Sequence, residues 1–175
     1  MKTLITGTST LYSALNHLIT IDTCRIEDIL EGRVDINEYG CFINYAHVGF
    51  KQVELLEYVF NEWRFDPKRI IFNISSRAAQ PNISKGYMYA AQKAALNHYA
   101  NNLHWNCPEK QCKITTMDLG GVALRGVPSM RWTTVADTLL SIMIQDLEIP
   151  HICIQVPENY MSVQAVKAAL KEATS

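Results

Sequence analysis

Ser76, Tyr89 and Lys93 follow one another at intervals of thirteen and four residues. If the stretch "GYMYAAQKAALNHYANNL" (86–103) is helical, Tyr89 and Lys93 lie one turn apart on one face. An ammonium in that place favours the phenolate and lowers a pKa that is about 10 in free tyrosine. A tyrosine so tuned can give a proton to a carbonyl oxygen, or take one from an alcohol, near neutral pH. Ser75 and Ser76 end the run "NISS", and a hydroxyl at that rim can hold the same oxygen. Chemistry at a carbinol carbon needs these parts together with a hydride carrier. Without the serine, the tyrosine and lysine would read as a solvent-edge pair on an ordinary helix.

These side chains need a scaffold, and the chain spells one out as short apolar runs alternating with amphipathic ones. "KTLIT", "TIDTC", "CFINYA", "RIIFNIS", "KITTMDL" and "HICIQV" read as strands. Between them, "LYSALNHLI", "IEDILEG", "FKQVELLEYVFNEW", the 86–103 stretch and "WTTVADTLLSIMIQDL" read as helices, with "SVQAVKAALKEA" as a last one. In the third helix Val53, Leu56, Val59 and Phe60 form the apolar side. Gly32 ends the second, and Pro108 stops the fourth. Strands that are apolar almost throughout are buried on both faces, and their alternation with helices predicts a doubly wound, mostly parallel α/β sheet of about six strands in a single domain, 1–175. Ligands bind such sheets at the carboxyl ends of the strands, near the switch in strand order. "TGTST", "NYAHVG", "NISSR" and "DLGGVALRG" should therefore converge there.

Bulk properties exclude several function classes. With 48% hydrophobic and 19% charged residues and a net charge of −1, the chain is neither disordered nor a basic nucleic-acid binder. Its longest apolar runs, such as "LLSIMI", are too short to span a bilayer. The opening "MKTLITGTST" is read as the start of a cytosolic protein rather than a leader. Five cysteines (24, 41, 107, 112, 153) show no Cys-x-x-Cys spacing, which favours reduced thiols and argues against a metal site.

"NISS" followed by "YAAQKAAL" resembles the short-chain dehydrogenase/reductase family, whose serine ends a strand and whose Tyr-x-x-x-Lys lies on the next helix. Three further stretches, in the family's order, are similar to its motifs: "LITGTST" to the cofactor-cradling loop, "FINYA" to the Asn-Asn-Ala-Gly strand end, and "LGGVAL" to the segment beside the nicotinamide. Four partial motifs in sequence are far stronger than one. The resemblance implies that Tyr89 is the general acid/base, that Lys93 binds the nicotinamide ribose and tunes Tyr89, and that Ser76 positions the substrate oxygen. It implies that Thr6, Gly7, Thr8 and Ser9 line the pyrophosphate loop, with Asn44 towards adenosine and Val122 near the carboxamide. NAD or NADP is the implied cofactor and a small molecule the substrate. A homodimer or homotetramer is implied, through the 86–103 helix and "FKQVELLEYVFNEW".

The chain departs from the family's pattern. Leu11 and Ser13 stand where it has glycines, Tyr45 where it has a second asparagine, and Leu119 and Leu124 where it has a proline and a threonine. The segment after "TGTST" is too short for the usual strand–helix–strand, so one edge strand is expected to be missing and "TIDTC" to pair beside the first strand. Asp22 is then the one acidic candidate for a ribose contact, with a turn or capping role as its alternative. Gly7 alternatively serves only the strand-to-helix turn. The family's catalytic asparagine has no clear counterpart, and His47 is a candidate replacement for a polar group there. Arg125 and Arg131 could hold an anionic substrate or a cofactor phosphate. A second functional class stays open: a catalytically degenerate relative that binds no dinucleotide and serves as a binding or scaffold subunit.

Overall fold

The computed structural model describes residues 1–80, 86–125, 128–145, 147–157 and 171–172. The strands are β1 (Thr3–Thr6), β2 (Ile21–Cys24), β3 (Cys41–Asn44), β4 (Ile70–Ser76), β5 (Lys113–Leu119) and β6 (His151–Ile154). The helices are α1 (Thr10–Asn16), α2 (Ile26–Leu30), α3 (Lys51–Trp63), α4 (Tyr87–Asn106) and α5 (Trp132–Met143). The expected last helix falls outside the described residues apart from 171–172.

All six strands pair in parallel, in the order β2-β1-β3-β4-β5-β6. The chain runs outward from β1 to β2, then returns to the other side of β1 and continues to β6. The order therefore reverses between β1 and β3, which is where a doubly wound sheet opens a cleft. "TIDTC" pairs beside the first strand as expected, and it forms the sheet margin.

Two apolar layers hold the sheet. On one face Leu4, Phe42, Ile71 and Ile114 pack against Ile26 and Ile29 of α2, Leu55, Leu56, Val59, Phe60 and Trp63 of α3, and Leu96 and Ala100 of α4. On the other, Ile5, Ile43, Phe72 and Met117 pack against Leu11 and Leu15 of α1 and Val135, Ala136, Leu139 and Ile142 of α5. On the α3–α4 face the strands change character towards their carboxyl ends. Beyond the apolar rung come Thr6, Asn44, Asn73, Ser75, Thr116 and Asp118, all buried. A buried polar group needs a partner, and all of these side chains except Ser75 make hydrogen bonds to described residues. Asn44, Asn73 and Thr116 lie in register across β3, β4 and β5. The Asn44 amide donates to Asn73 Oδ1 (3.2 Å) and to the Gln52 carbonyl (2.7 Å).

Candidate functional site

A cleft of about 410 Å³ opens at the carboxyl ends of β3, β4 and β5. Its walls include Tyr45, His47, Ser75, Ser76, Tyr89 and Lys93, with Val122 and Trp132 opposite. The structure thus brings Ser76, Tyr89 and Lys93 to one opening, from the end of one strand and the first two turns of the helix that follows it.

Each member is positioned by its local structure. Ser76 ends β4, and its Oγ accepts from the Ala78 N–H (3.1 Å), capping a short 3-10 turn over Arg77–Ala79. That bond uses the oxygen as acceptor and leaves the hydroxyl proton available. Tyr89 is the third residue of α4 and is 36% exposed, so its phenol meets solvent and cleft together. The His47 ring stands edge-on to the Tyr89 ring, with centroids 4.8 Å apart. Lys93, one turn further into α4, is 4% exposed. Its Nζ donates to Gln52 Oε1 (2.7 Å) and to the Ile74 carbonyl (2.8 Å), and lies 5.7 Å from the centre of the Tyr89 ring. Burial lowers the Lys93 pKa from 10.5 to about 8, and Asp118 opposes that fall only in part. Burial, aided by the Lys93 charge, also lowers the His47 pKa below 6.5, against the side chains of Gln52 and Gln92.

The remaining sequence candidates divide. Val122 lines the cleft. Thr6, Gly7 and Ser9 perform structural tasks beside it. Thr6 Oγ1 accepts from the Tyr45 and Ala46 N–H groups (3.0 and 2.9 Å), joining the ends of β1 and β3. Gly7 has φ +80°, and a Cβ there would come 3.3 Å from Ala46 Cβ, so the turn itself requires glycine. Ser9 caps α1, accepting from the Tyr12 N–H at 3.2 Å, while Thr8 is exposed. Leu11 is fully buried beneath α1 and anchors the helix to the sheet with Leu15. Asn44 is a buried member of the polar layer and does not line the cleft.

Asp22 is not brought to this group. It sits level with Leu4, and its carboxylate accepts from the Tyr39 hydroxyl (2.9 Å) and pairs with Lys2 (3.1 Å). Both partners precede their strands, so the carboxylate is held towards the amino ends, away from the cleft. Lys2 first and Tyr39 second lower its pKa below the usual aspartate value. Arg125 and Arg131 are exposed, and Arg131 lies beside a separate groove between α1 and the start of α5.

One cleft residue and one residue behind the cleft wall escaped the sequence reading. Trp132, noted there only as a helix start, stands edge-on to Tyr45 with centroids 5.9 Å apart, forming the wall opposite Lys93. Gln52 contacts Lys93 directly, and its signal was helical spacing. It precedes Leu55, Leu56, Val59, Phe60 and Trp63 on the buried stripe of α3.

No family model matches the chain, and none of the curated proteins is similar to it in sequence. Solved structures are similar in shape. Serine dehydrogenase from Escherichia coli superposes with TM-score 0.68 at 14% identity, over 89% of this chain and 98% of that one. A short-chain dehydrogenase from Streptomyces avermitilis gives TM-score 0.70 at 12% identity, over 99% and 94%. An alcohol dehydrogenase from the archaeon Thermococcus sibiricus, complexed with 5-hydroxy-NADP, gives 0.68 at 11% identity, over 92% and 97%. Across nearly its whole length, therefore, this chain has the fold of the short-chain dehydrogenases/reductases.

Proposed function

We propose that the protein is an oxidoreductase acting between an alcohol and a carbonyl compound with NAD or NADP. The observation that carries this reading is the meeting of Ser76, Tyr89 and Lys93 in one cleft at the carboxyl ends of β3, β4 and β5. The Ser76 proton, not engaged by the Ala78 N–H, holds the substrate oxygen. The Tyr89 phenol gives that oxygen a proton on reduction and takes it back on oxidation. Lys93 supplies positive charge from behind the ring.

The nicotinamide end of a cofactor suits the residues present. The buried Ser75 hydroxyl has no partner among the described residues, and Lys93 keeps one N–H beyond its two bonds. Lys93 and Val122 would hold that end, and Gly7 and Thr8 would face the phosphates. When bound, the nicotinamide supplies the hydride. Other comparisons are consistent with this reading, including a closed serine dehydrogenase complexed with NADP+. The reading includes a cytosolic setting with all five cysteines free, as they are in the structure. Among the described residues no helix is long and apolar enough to cross a membrane. It also includes a homodimer or homotetramer through α3 and α4, the latter exposing Trp105. Sedimentation of the wild type against Trp105→Glu tests the assembly.

A second reading rests on Leu11, which fills the apolar layer where the resembled loop has glycine, and on the commitment of Asp22 elsewhere. It is a degenerate relative that binds no dinucleotide and acts as a binding or scaffold subunit. Thermal unfolding with excess NADH or NADPH separates the two. A cofactor at about 100 times its Kd stabilises by roughly 2.7 kcal/mol. A shift with either one supports the enzyme. No shift with both overturns it.

A further inference from the structure

Among the described residues the buried Lys93 ammonium has no ion-pair partner; what meets it is a side-chain amide and a main-chain carbonyl. We infer that Gln52 is a positioning residue, whose side-chain carbonyl fixes the Lys93 ammonium behind Tyr89 and whose amide ties that arrangement to the ends of β3 and β4. The inference rests on the oxidoreductase reading only for the catalytic meaning of Lys93.

Gln52 is 2% exposed and sits in the first turn of α3. Its Oε1 accepts from Lys93 Nζ at 2.7 Å. Its Nε2 donates to the Asn44 carbonyl at 2.8 Å and to the Ile74 carbonyl at 3.3 Å. Its own main-chain carbonyl accepts from the Asn44 side chain at 2.7 Å. One residue thus links α3, α4, β3 and β4. The network also sets the direction of the amide. Turned over, it would aim its NH2 at an ammonium and its oxygen at two carbonyls, three repulsive contacts in a water-poor site.

Only an uncharged residue with both functions fits. A leucine keeps the bulk but leaves the ammonium only its bond to the Ile74 carbonyl in this network, and takes a donor away from the Asn44 and Ile74 carbonyls. A glutamate keeps the acceptor but loses the donor and places a full negative charge at 2.7 Å. Among the described residues the charged and titratable groups around Lys93 are His47 at the end of β3, Asp118 on β5 and Tyr89 on its own helix. None of these is within ion-pair distance, so a charge at position 52 would dominate the surroundings of the ammonium.

The test uses the full chain labelled with 15N-lysine, with the Lys93 ammonium signal assigned through Lys93→Arg. Titration of that signal is followed in the wild type, Gln52→Glu and Gln52→Leu, each checked for folding by circular dichroism. The expected result is a midpoint at least one pH unit higher in Gln52→Glu, and a broadened or displaced signal in Gln52→Leu. An unchanged Lys93 titration in both folded variants overturns the inference. If neither variant folds, the wild type decides: cross-peaks between the Lys93 Hε and Gln52 Hγ protons are expected, and their absence overturns it. Because no step needs substrate or NAD(P)H, a shifted titration in a protein that shows no cofactor-induced stabilisation sustains the role of Gln52 while sinking the enzyme reading. Cofactor-induced stabilisation with an unresponsive Lys93 does the reverse.

Discussion

Burying Lys93 should make the stability of this protein rise with pH in a range where most proteins are indifferent or weaken. The perturbation is Lys93→Met, which keeps the length of the side chain and removes its charge. In the native protein the ammonium titrates at about 8, against 10.5 in the unfolded chain. Between those values the unfolded chain binds more protons than the native one, so the unfolding free energy climbs as pH rises. Below pH 8 the cost of burying the charge is present in full, and it is relieved as the ammonium loses its proton. The fall from 10.5 to about 8 corresponds to roughly 3 kcal/mol. Lys93→Met also orphans Gln52 Oε1, at about 1–3 kcal/mol, but that cost is the same at every pH and drops out of the slope. The assay is urea unfolding of both proteins from pH 6.5 to 10, taking the difference in free energy at each pH so that titrations not coupled to Lys93 cancel. The wild type should gain about 2–3 kcal/mol on the variant between pH 7 and 10. A difference that stays flat, or that falls with pH, refutes the claim that burial governs this ammonium.

The other expectations are simpler to measure. Tyr89→Phe should abolish NAD(P)H-dependent turnover of carbonyl substrates yet leave the cofactor-induced rise in Tm, and loss of both together would point to a structural role. Leu11→Gly, which introduces the glycine of the resembled loop, should destabilise the protein by about 2–5 kcal/mol in urea unfolding because it empties a fully buried site. Ser9→Ala should cost about 1 kcal/mol by removing the cap of α1. Asp22→Asn should change stability by less than about 1 kcal/mol, since its pair with Lys2 is well exposed, and should leave any preference between NADH and NADPH untouched.

Much of this architecture was legible before any coordinates, because strand burial dictates composition. "KITTMDL" coincides with β5 to the residue, and "TIDTC" could only lie beside β1, given so short a connection. The cleft trio was legible for a similar reason, since serine, tyrosine and lysine sit at spacings that a strand end and a helix face impose. What could not be read were roles that depend on which of several faces a side chain meets. Val53 packs against the core as a half-buried residue of α3, but the fully buried stripe runs through Gln52 and Leu55, one residue over. A polar residue at the head of that stripe scores against burial in any pattern, although it is there to satisfy Lys93. Asp22 failed for another reason. Its position along β2 was right, but the proximity of Lys2 and Tyr39 arises from three strands coming together, and no local pattern records that. Trp132 was hidden because an aromatic at a helix start has no signature of its own until Tyr45 faces it.

Among the described residues, ending the sheet at β2 leaves one row of main-chain donors and acceptors on that side without a neighbouring strand. An uncovered margin of this kind invites another chain to add itself, the first step towards fibrous aggregates. Here the row is four residues long, so only about two N–H and two C=O groups point that way. That is too few to nucleate a lasting cross-chain ladder, and the chain stops β2 at once by turning into α2. The same economy that deletes a strand thus keeps the exposed border too brief to be adhesive.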